Sequence, residues 1–513
     1  MELFATFGLQ VFIALGIYTI LYEVYFRLAV LPEEAYFKSV LLFQIFWNPL
    51  KLIVIIGPSL ILLINYKTLS WSNFEHGNTV KYFVLFISLI LVWTYSTYDF
   101  NLYYNQPHYI ARLLLIFLAF LVLLNPVFIS TLVVLAIVIV KQFHYPLGNY
   151  SWTDKRVLFD VLILFNAILY LKLFSQRVVP VFLFVMLCLH GANYVVPAIE
   201  KLRIRWQFEE KLHYLVASSY VNGWLSFYDE SFILKIITYE KTFNIALITF
   251  TLVVEFAPLL MFVHKDAPIL ILLGAILLHI GIFIFSGIFF WKWILLDVAL
   301  IVFVILVQFD FSWLFMWPYL VISLFIITFS PPLFRTVPLG WYDTPLTEIY
   351  ELEAVGISGT IYRVPRYFMS PYDIIFAQNR FFYLNDDKVL VGVYGSTHNP
   401  EIKKGIEETN KPIELNTLAE VTGKNYYDRG KAERFDYFIR NYFGNLNKRK
   451  KKWILINKLS APHHIWNSVQ GNIYQQQELV KEIRVRFQRV YFDGQTFQLA
   501  KSKIIRIIDN IPL

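Results

Sequence analysis

The stretch VPVFLFVMLCLHGANYVVPAIEKLRIRW, residues 179–206, decides how this chain reads. Residues 179–197 are apolar apart from His190 and Asn193. They are long enough for a membrane span, which takes about 20 residues. The helix closes near Pro197, and Glu200 and Lys201 follow just ahead of Trp206. Charge close to a bilayer core is costly, so each ionisable group there needs a reason. A lysine held at such a boundary and partly desolvated can lose its proton near neutral pH and serve as a base. The alternative is a lysine that snorkels to the headgroups with Arg203 and Arg205.

Composition extends this reading to the rest of the chain. Of 513 residues, 57% are hydrophobic and only 16% charged, against about 25% charged in a soluble domain. Mean hydropathy is +0.54. The apolar runs fill residues 1–335, and residues 336–513 read as an ordinary globular sequence. A polytopic all-α membrane domain followed by a small α+β soluble domain is expected. The net charge of +8 suits lipid headgroups better than nucleic acid. Cys188 is the only cysteine, which rules out an intrachain disulfide and a cysteine metal site. The first apolar run lacks the basic region and cleavage site of a signal peptide.

Candidate spans are 7–30, 39–65, 81–99, 109–124, 126–140, 157–174, 179–197, 242–264, 267–290, 292–308 and 312–330. Nine to eleven helices are expected, because Asn125-Pro126 makes either a hairpin or one kinked helix. Basic residues lie on loops of both parities, so they fix no orientation. Residues 198–241 are too charged to span. Leu212, Leu215 and Val216 recur there at helical spacing beside Glu209, Glu210 and Lys211, which predicts a helix lying in the interface with Trp206 and Trp224 as anchors. Beyond Pro331-Pro332 the pattern predicts a helix start at Ser370-Pro371-Tyr372-Asp373, a β run over Val389–Val393, a helix over Arg429–Tyr442 and a hairpin turning at Asp493-Gly494.

Few ionisable residues fall inside the spans. Glu255 and His279 each lie about a dozen residues from the turn at Lys265-Asp266-Ala267-Pro268, so an antiparallel hairpin brings them to similar depth. They are expected to pair, either as a structural interhelical bond or as a functional one. His190 and Lys201 are eleven residues apart and share a face if the helix runs on past Pro197. Asn193 lies on the same side as His190. Asp297 is a second intramembrane carboxylate, a partner for Lys292 or a functional group. His144, His213 and His264 show no metal spacing, and no metal site is expected. Lys448-Arg449-Lys450-Lys451-Lys452 reads as a solvated loop or an anionic-lipid contact. His463-His464 reads as surface.

Three landmarks in order carry a family resemblance. Lys201-Leu202-Arg203-Ile204-Arg205-Trp206 fits the pattern K-L-x-x-x-W and is followed by Leu212-His213-Tyr214-Leu215. Tyr150-Ser151-Trp152-Thr153-Asp154-Lys155 precedes an apolar helix, like a family S-W-N-N-H stretch. The helix with His279, then Ser286-Gly287 and Phe289-Phe290, is similar to a His-bearing family helix. Over residues 80–310 the chain resembles the horizontally transferred transmembrane (HTTM) family and, within it, the vitamin K-dependent γ-glutamyl carboxylases. Lys155 stands in place of the family histidine, Thr153 and Asp154 in place of its paired asparagines, and Ile280-Gly281-Ile282 where an asparagine follows the membrane histidine.

The resemblance implies an integral-membrane, carboxylase-like enzyme, a carbon–carbon lyase that couples carboxylation to quinone epoxidation. A reduced naphthoquinone, a vitamin K hydroquinone, would act with O₂ and CO₂ on a peptide or other carboxylate substrate. Lys201 would be the base toward hydroquinone. Glu255 and His279 are expected as a polar pair in the cavity, with His190, Asn193 and Trp206 lining or closing the cofactor site. Membrane lipid and a peptide or protein substrate are the expected partners, without nucleic acid. The expected location is a bacterial cytoplasmic membrane, crossed several times. Two rivals remain open: a non-catalytic HTTM membrane protein acting as a maturation or immunity partner for a peptide, and a transporter using Glu255, His279 and Asp297 as a proton relay.

Overall fold

The computed structural model describes residues 2–41, 49–148, 153–409, 411–449 and 459–513. The N-terminal part is helical: α1 Glu2–Glu23, continued by a wider turn Val24–Leu28, α2 Pro49–Ile64, α3 Gly77–Ser96, α4 Tyr109–Leu124, α5 Ile129–Lys141, α6 Thr153–Lys172, α7 Val179–Arg203, α8 His213–Val221, α9 Glu230–Phe256, α10 Ala267–Ser286, α11 Trp291–Val307 and α12 Trp317–Thr328. Among the described residues, five helical stretches are long and apolar enough to cross a membrane: Phe4–Leu28, Gly77–Ser96, Val179–Arg203, Glu230–Leu260 and Ala267–Ser286. That supports a membrane protein. Asn125 is extended and its side chain accepts a hydrogen bond from the Val127 N–H at 3.1 Å. Of the two outcomes open at Asn125-Pro126, the chain takes the hairpin, with α4 and α5 packed on each other.

Helix α7 is the axis of this part. Its apolar window is 94% buried inside the protein, whereas helices facing lipid keep an apolar outer side exposed. It packs against α1, α6, α9 and α12. Gly191 allows the closest approach: a Cβ there would lie 2.9 Å from Pro258 Cβ and 3.3 Å from Ile327 Cδ1. Pro197 removes one N–H from the ladder, yet the helix continues to Arg203. His190 and Lys201 therefore do belong to one helix.

The C-terminal part carries β1 Tyr342–Asp343, β2 Leu346–Gly356, β3 Ile361–Arg363, β4 Ser396–Thr397, α13 Pro400–Glu407, α14 Glu414–Thr422, α15 Arg429–Asn447, β5 Val480–Phe492 and β6 Phe497–Ile508. One antiparallel sheet runs in the order β3-β2-β5-β6, and β1 pairs with β4. The hairpin turn is where Asp493-Gly494 places it. Gly494 has φ +95°, a conformation glycine adopts without a Cβ clash. The Asp493 carboxylate accepts the N–H groups of Gln495 and Thr496. A one-turn helix Asp373–Ala377 follows Ser370-Pro371, and α15 covers the expected helix over 429–442.

The expected β run over Val389–Val393 does not form a strand. Val389 alone bridges to Lys424. The N–H groups of Leu390 and Val391 instead donate to Glu348 Oε2, at 2.9 and 3.0 Å. A buried carboxylate outcompetes a strand partner because it satisfies both donors at once. Segment 198–241 also differs from a lone interfacial helix. Val216 and Ala217 of α8 pack with Ile233 and Ile237 of α9 and with Phe492 at the hairpin tip. Helix α8 is thus held between the two parts. Trp206 is buried, and the indole N–H of Trp224 donates to the Ile284 carbonyl at 3.1 Å. Further bonds join the parts: Trp93 to the Leu459 carbonyl at 2.7 Å, Arg366 to the Asn222 carbonyl at 2.5 Å and the Phe289 N–H to the His464 carbonyl at 2.7 Å.

Candidate functional site

Four helices bring ionisable groups together. Helix α7 supplies His190, Tyr194 and Lys201; α9 supplies Glu255, α10 His279 and α11 Asp297. All except Lys201 are buried, and the Lys201 side chain is 13% exposed. Its ammonium forms an ion pair and hydrogen bond with Glu255 Oε1 and lies 5.4 Å from the centre of the Trp206 ring. Glu255 is three residues before Pro258, which touches Gly191, ten residues before Lys201. The lysine therefore reaches back along its own helix into the protein. It does not snorkel outward with Arg203.

The expected Glu255–His279 pair is corrected. Glu255 takes Lys201 as its direct partner, and His279 is an electrostatic neighbour beyond it. His279 Nδ1 faces Asp297 Oδ2 at 3.7 Å, and its Nε2 lies 3.5 Å from the Tyr194 hydroxyl. The physical reason is length. A lysine spans the gap between α7 and α9, whereas α11 carries a carboxylate nearer to His279. Asp297 likewise does not take Lys292. Its Oδ1 lies 2.5 Å from His190 Nε2. An ionised carboxylate only accepts, so that imidazole nitrogen donates.

Tyr194 occupies the middle of the group, ring to ring with His190, His279 and Trp293 at 4.9, 5.8 and 5.9 Å. Phe290 stacks on His279 at 5.1 Å. The result is one polar chain, Lys201–Glu255, then Tyr194 and His279, then Asp297–His190, inside an aromatic sleeve. Asp297 and Tyr194 were the members least legible from spacing. An intramembrane aspartate was a usable signal, but a buried tyrosine among 33 was not. Asn193 stays outside the chain, because its amide donates to the Leu189 carbonyl of its own helix at 2.8 Å. Trp206 joins it through Lys201.

A cleft of about 450 Å³ opens beside this chain where the two parts meet. Tyr95, Tyr98, Lys292, Asp373, His463 and His464 are among its lining. His463 lies at the surface as expected, its side chain 43% exposed, and its Nδ1 pairs with Asp373 Oδ2 at 2.7 Å. The His464 ring packs edge-on against Phe290 at 5.0 Å, and Phe290 stacks on His279, so one phenyl ring separates cleft from chain. Residues 150–152 of the landmark over 150–155 and Lys450-Lys451-Lys452 of the basic run lie outside the described residues.

Comparison of the chain with protein-family models, with curated proteins and with solved structures returns no match.

Proposed function

We propose that this protein is a multi-pass integral-membrane enzyme of HTTM type, resident in a bacterial cytoplasmic membrane, in which Lys201 acts as a base toward a reduced naphthoquinone. The carrying observation is the inward Lys201–Glu255 pair, an amine and a carboxylate shielded from water beside an indole ring. Snorkelling would have turned the amine outward. The residues present fit a hydroquinone. Glu255 Oε2 is buried without a hydrogen-bond partner among the described residues, which leaves an acceptor for a phenolic hydroxyl beside the base.

When bound, a reduced naphthoquinone would supply, with O₂, the strong base needed for carboxylation of a glutamate γ-carbon by CO₂, the overall change giving the quinone epoxide and one water. Lys201 takes the phenolic proton, and Glu255 orients the amine and holds the charge that forms on it. The buried Trp206 ring lies against the Lys201 amine and limits its contact with bulk water. His279 and His190, anchored by Asp297, hold the polar side of the sleeve in place.

The test is incorporation of isotopically labelled CO₂ into a glutamate-containing peptide by the purified full chain, supplied with a naphthohydroquinone and O₂. Label incorporation with equimolar epoxide, abolished by Lys201→Ala in a folded protein, is expected. Incorporation unchanged in Lys201→Ala would exclude the lysine role. No label from the unaltered chain, with phospholipid alone co-purifying, favours the non-catalytic rival. A second reading, a proton path for transport, draws on the clustering of titratable groups between Lys201 and His190. Proton uptake coupled to solute movement in vesicles would separate it from the enzyme.

A further inference from the structure

The cleft of about 450 Å³ where the two parts meet has chemistry of its own, apart from Lys201. Segment 460–466 of the C-terminal part forms one of its walls. That backbone is held along its length against the N-terminal part. The Ser460 hydroxyl donates to the Thr97 carbonyl at 2.9 Å and the Trp291 indole N–H to the Pro462 carbonyl at 3.1 Å. The Phe289 N–H donates to the His464 carbonyl at 2.7 Å, and the Trp466 N–H to the Gly287 carbonyl at 2.9 Å. Two adjacent imidazoles, His463 and His464, are thereby placed at the cleft.

Each ring has its Nδ1 engaged by an acceptor. His463 Nδ1 meets Asp373 Oδ2 at 2.7 Å, and His464 Nδ1 meets the Phe289 carbonyl at 3.2 Å. An ionised carboxylate and a carbonyl only accept, so both Nδ1 atoms carry the hydrogen, and in the neutral rings the basic lone pair is at Nε2. Metal-binding histidines are prepared in the same way. Among the described residues, however, no three His, Cys, Asp or Glu side chains converge to hold a metal ion. The other chemistry of a carboxylate-backed imidazole is to take a proton at Nε2 while the carboxylate balances the charge that forms on the ring. His463 has that backing, whereas His464 is backed by a neutral carbonyl.

The remaining walls select what presents the proton. Tyr95, Tyr98, Phe143, Tyr367, Phe368 and Tyr474 line the cleft, and its volume suits a ligand built on aromatic rings. The charged groups facing it are Asp99, Asp373 and Lys292. Arg366 lines a second hollow, of about 200 Å³, which His463 and Asp373 also border. Two carboxylates against one ammonium and two imidazoles leave no strong net charge to select an ion. A neutral ring with a weakly acidic hydroxyl matches both the aromatic walls and the base. An aliphatic alcohol does not, because it is too weak an acid to yield its proton to an imidazole.

We propose that the cleft binds a phenol-bearing ligand and that His463 takes the proton of its hydroxyl, with Asp373 as the positioning residue. The phenolic O–H bond breaks as the Nε2–H bond forms. The electron pair stays on the oxygen as a phenolate, and the Asp373 carboxylate balances the imidazolium. The phenol is either a small free molecule or the tyrosine side chain of a peptide. A peptide would find further room in the second hollow, which Tyr367 and Trp466, 47% and 45% exposed, flank.

This inference depends neither on Lys201 nor on carboxylation, and its test needs no turnover. The probe is 4-nitrophenol, whose phenolate is coloured, added to the full chain in nanodiscs. Bound probe should ionise about one pH unit below free probe. The same ring without the proton, 4-nitroanisole, should bind about tenfold more weakly. His463→Gln should abolish the displaced midpoint, and Asp373→Asn should reduce it. Both side chains are partly exposed, 43% and 21%, so neither substitution empties a core. Phenol and N-acetyltyrosinamide then compete with the probe, and the one effective at the lower concentration distinguishes a free phenol from a peptide. Ionisation at the midpoint of free probe, equal binding of 4-nitroanisole, a displaced midpoint that survives in His463→Gln, or no competition by either compound overturns the proposal.

Discussion

His190 and Asp297, 107 residues apart in the chain, meet with Nε2 and Oδ1 at 2.5 Å, and neither is more than 1% exposed. Their contact ties α7 to α11 in a region where apolar packing alone would not select one rotation of a helix over another. A buried polar contact does select it, because any other rotation leaves both groups unsatisfied.

Removing one partner should cost far more than removing both. Asp297→Leu strands an imidazole and is expected to cost about 3–5 kcal/mol, as for other buried pairs broken on one side. The double variant His190→Leu with Asp297→Leu should recover much of that loss. Thermal unfolding of the detergent-purified chain reads the difference. A double variant as unstable as the sum of the singles would contradict the pairing.

Gly191 sets the distance between α7 and the end of α9. Gly191→Ala forces its new methyl against Pro258 and the Ile327 side chain. An overpacking cost of about 1–3 kcal/mol is expected. Because Glu255 is three residues from Pro258, the substitution should also weaken the contact with Lys201. A lower melting temperature together with reduced chemical shielding of the Lys201 amine toward acylation is the combined outcome to look for.

In the C-terminal part, Arg489 occupies a position on β5 whose alternation calls for an apolar side chain between Phe487 and Tyr491. It is 1% exposed. Its guanidinium donates to Glu348 at 2.7 Å, to Asn416 at 2.8 Å and to the Lys388 carbonyl at 3.0 Å. Glu348→Ala leaves this cation and two backbone N–H groups unmatched and should cost about 3–5 kcal/mol. Arg489→Lys should be only partly tolerated, since an ammonium cannot span the same fork. Denaturant unfolding followed by the tryptophans of this part checks both.

Docking of the two parts should depend on pH through Asp343 and Glu210. Burial raises both carboxyls above their ordinary range, Asp343 from 3.8 to about 7. The folded state then holds the proton more tightly than the unfolded one. The stabilisation is complete below about pH 4 and is lost as pH climbs toward about 7. Protection of the amides over Trp341–Thr344, corrected for the intrinsic base-catalysed exchange rate, should fall between about pH 5 and about pH 8, and fall less in Asp343→Asn. Protection that grows with rising pH would reverse the assigned sign.

Hydrophobic run length by itself located five long apolar stretches among the described residues, because a chain facing hydrocarbon must satisfy its backbone internally over about 20 residues. The expected nine to eleven spans are not reached, and the run at 242–264 belongs to a helix that already starts at Glu230. The Asp493-Gly494 turn and the periodicity over 429–442 located a hairpin and a helix for equally local reasons. The presence of ionisable groups at 201, 255, 279 and 297 was also legible, since charge in such segments is conspicuous. Which of them pair was decided only by tertiary structure. Pairing depends on helix rotation and on side-chain reach, which is why Lys201 rather than His279 takes Glu255. The strand expected at 389–393 was lost for the same reason, to a glutamate 41 residues earlier than Val389. The seating of Gly340 against Glu200 joins residues 140 positions apart, and no local pattern in either segment encodes it.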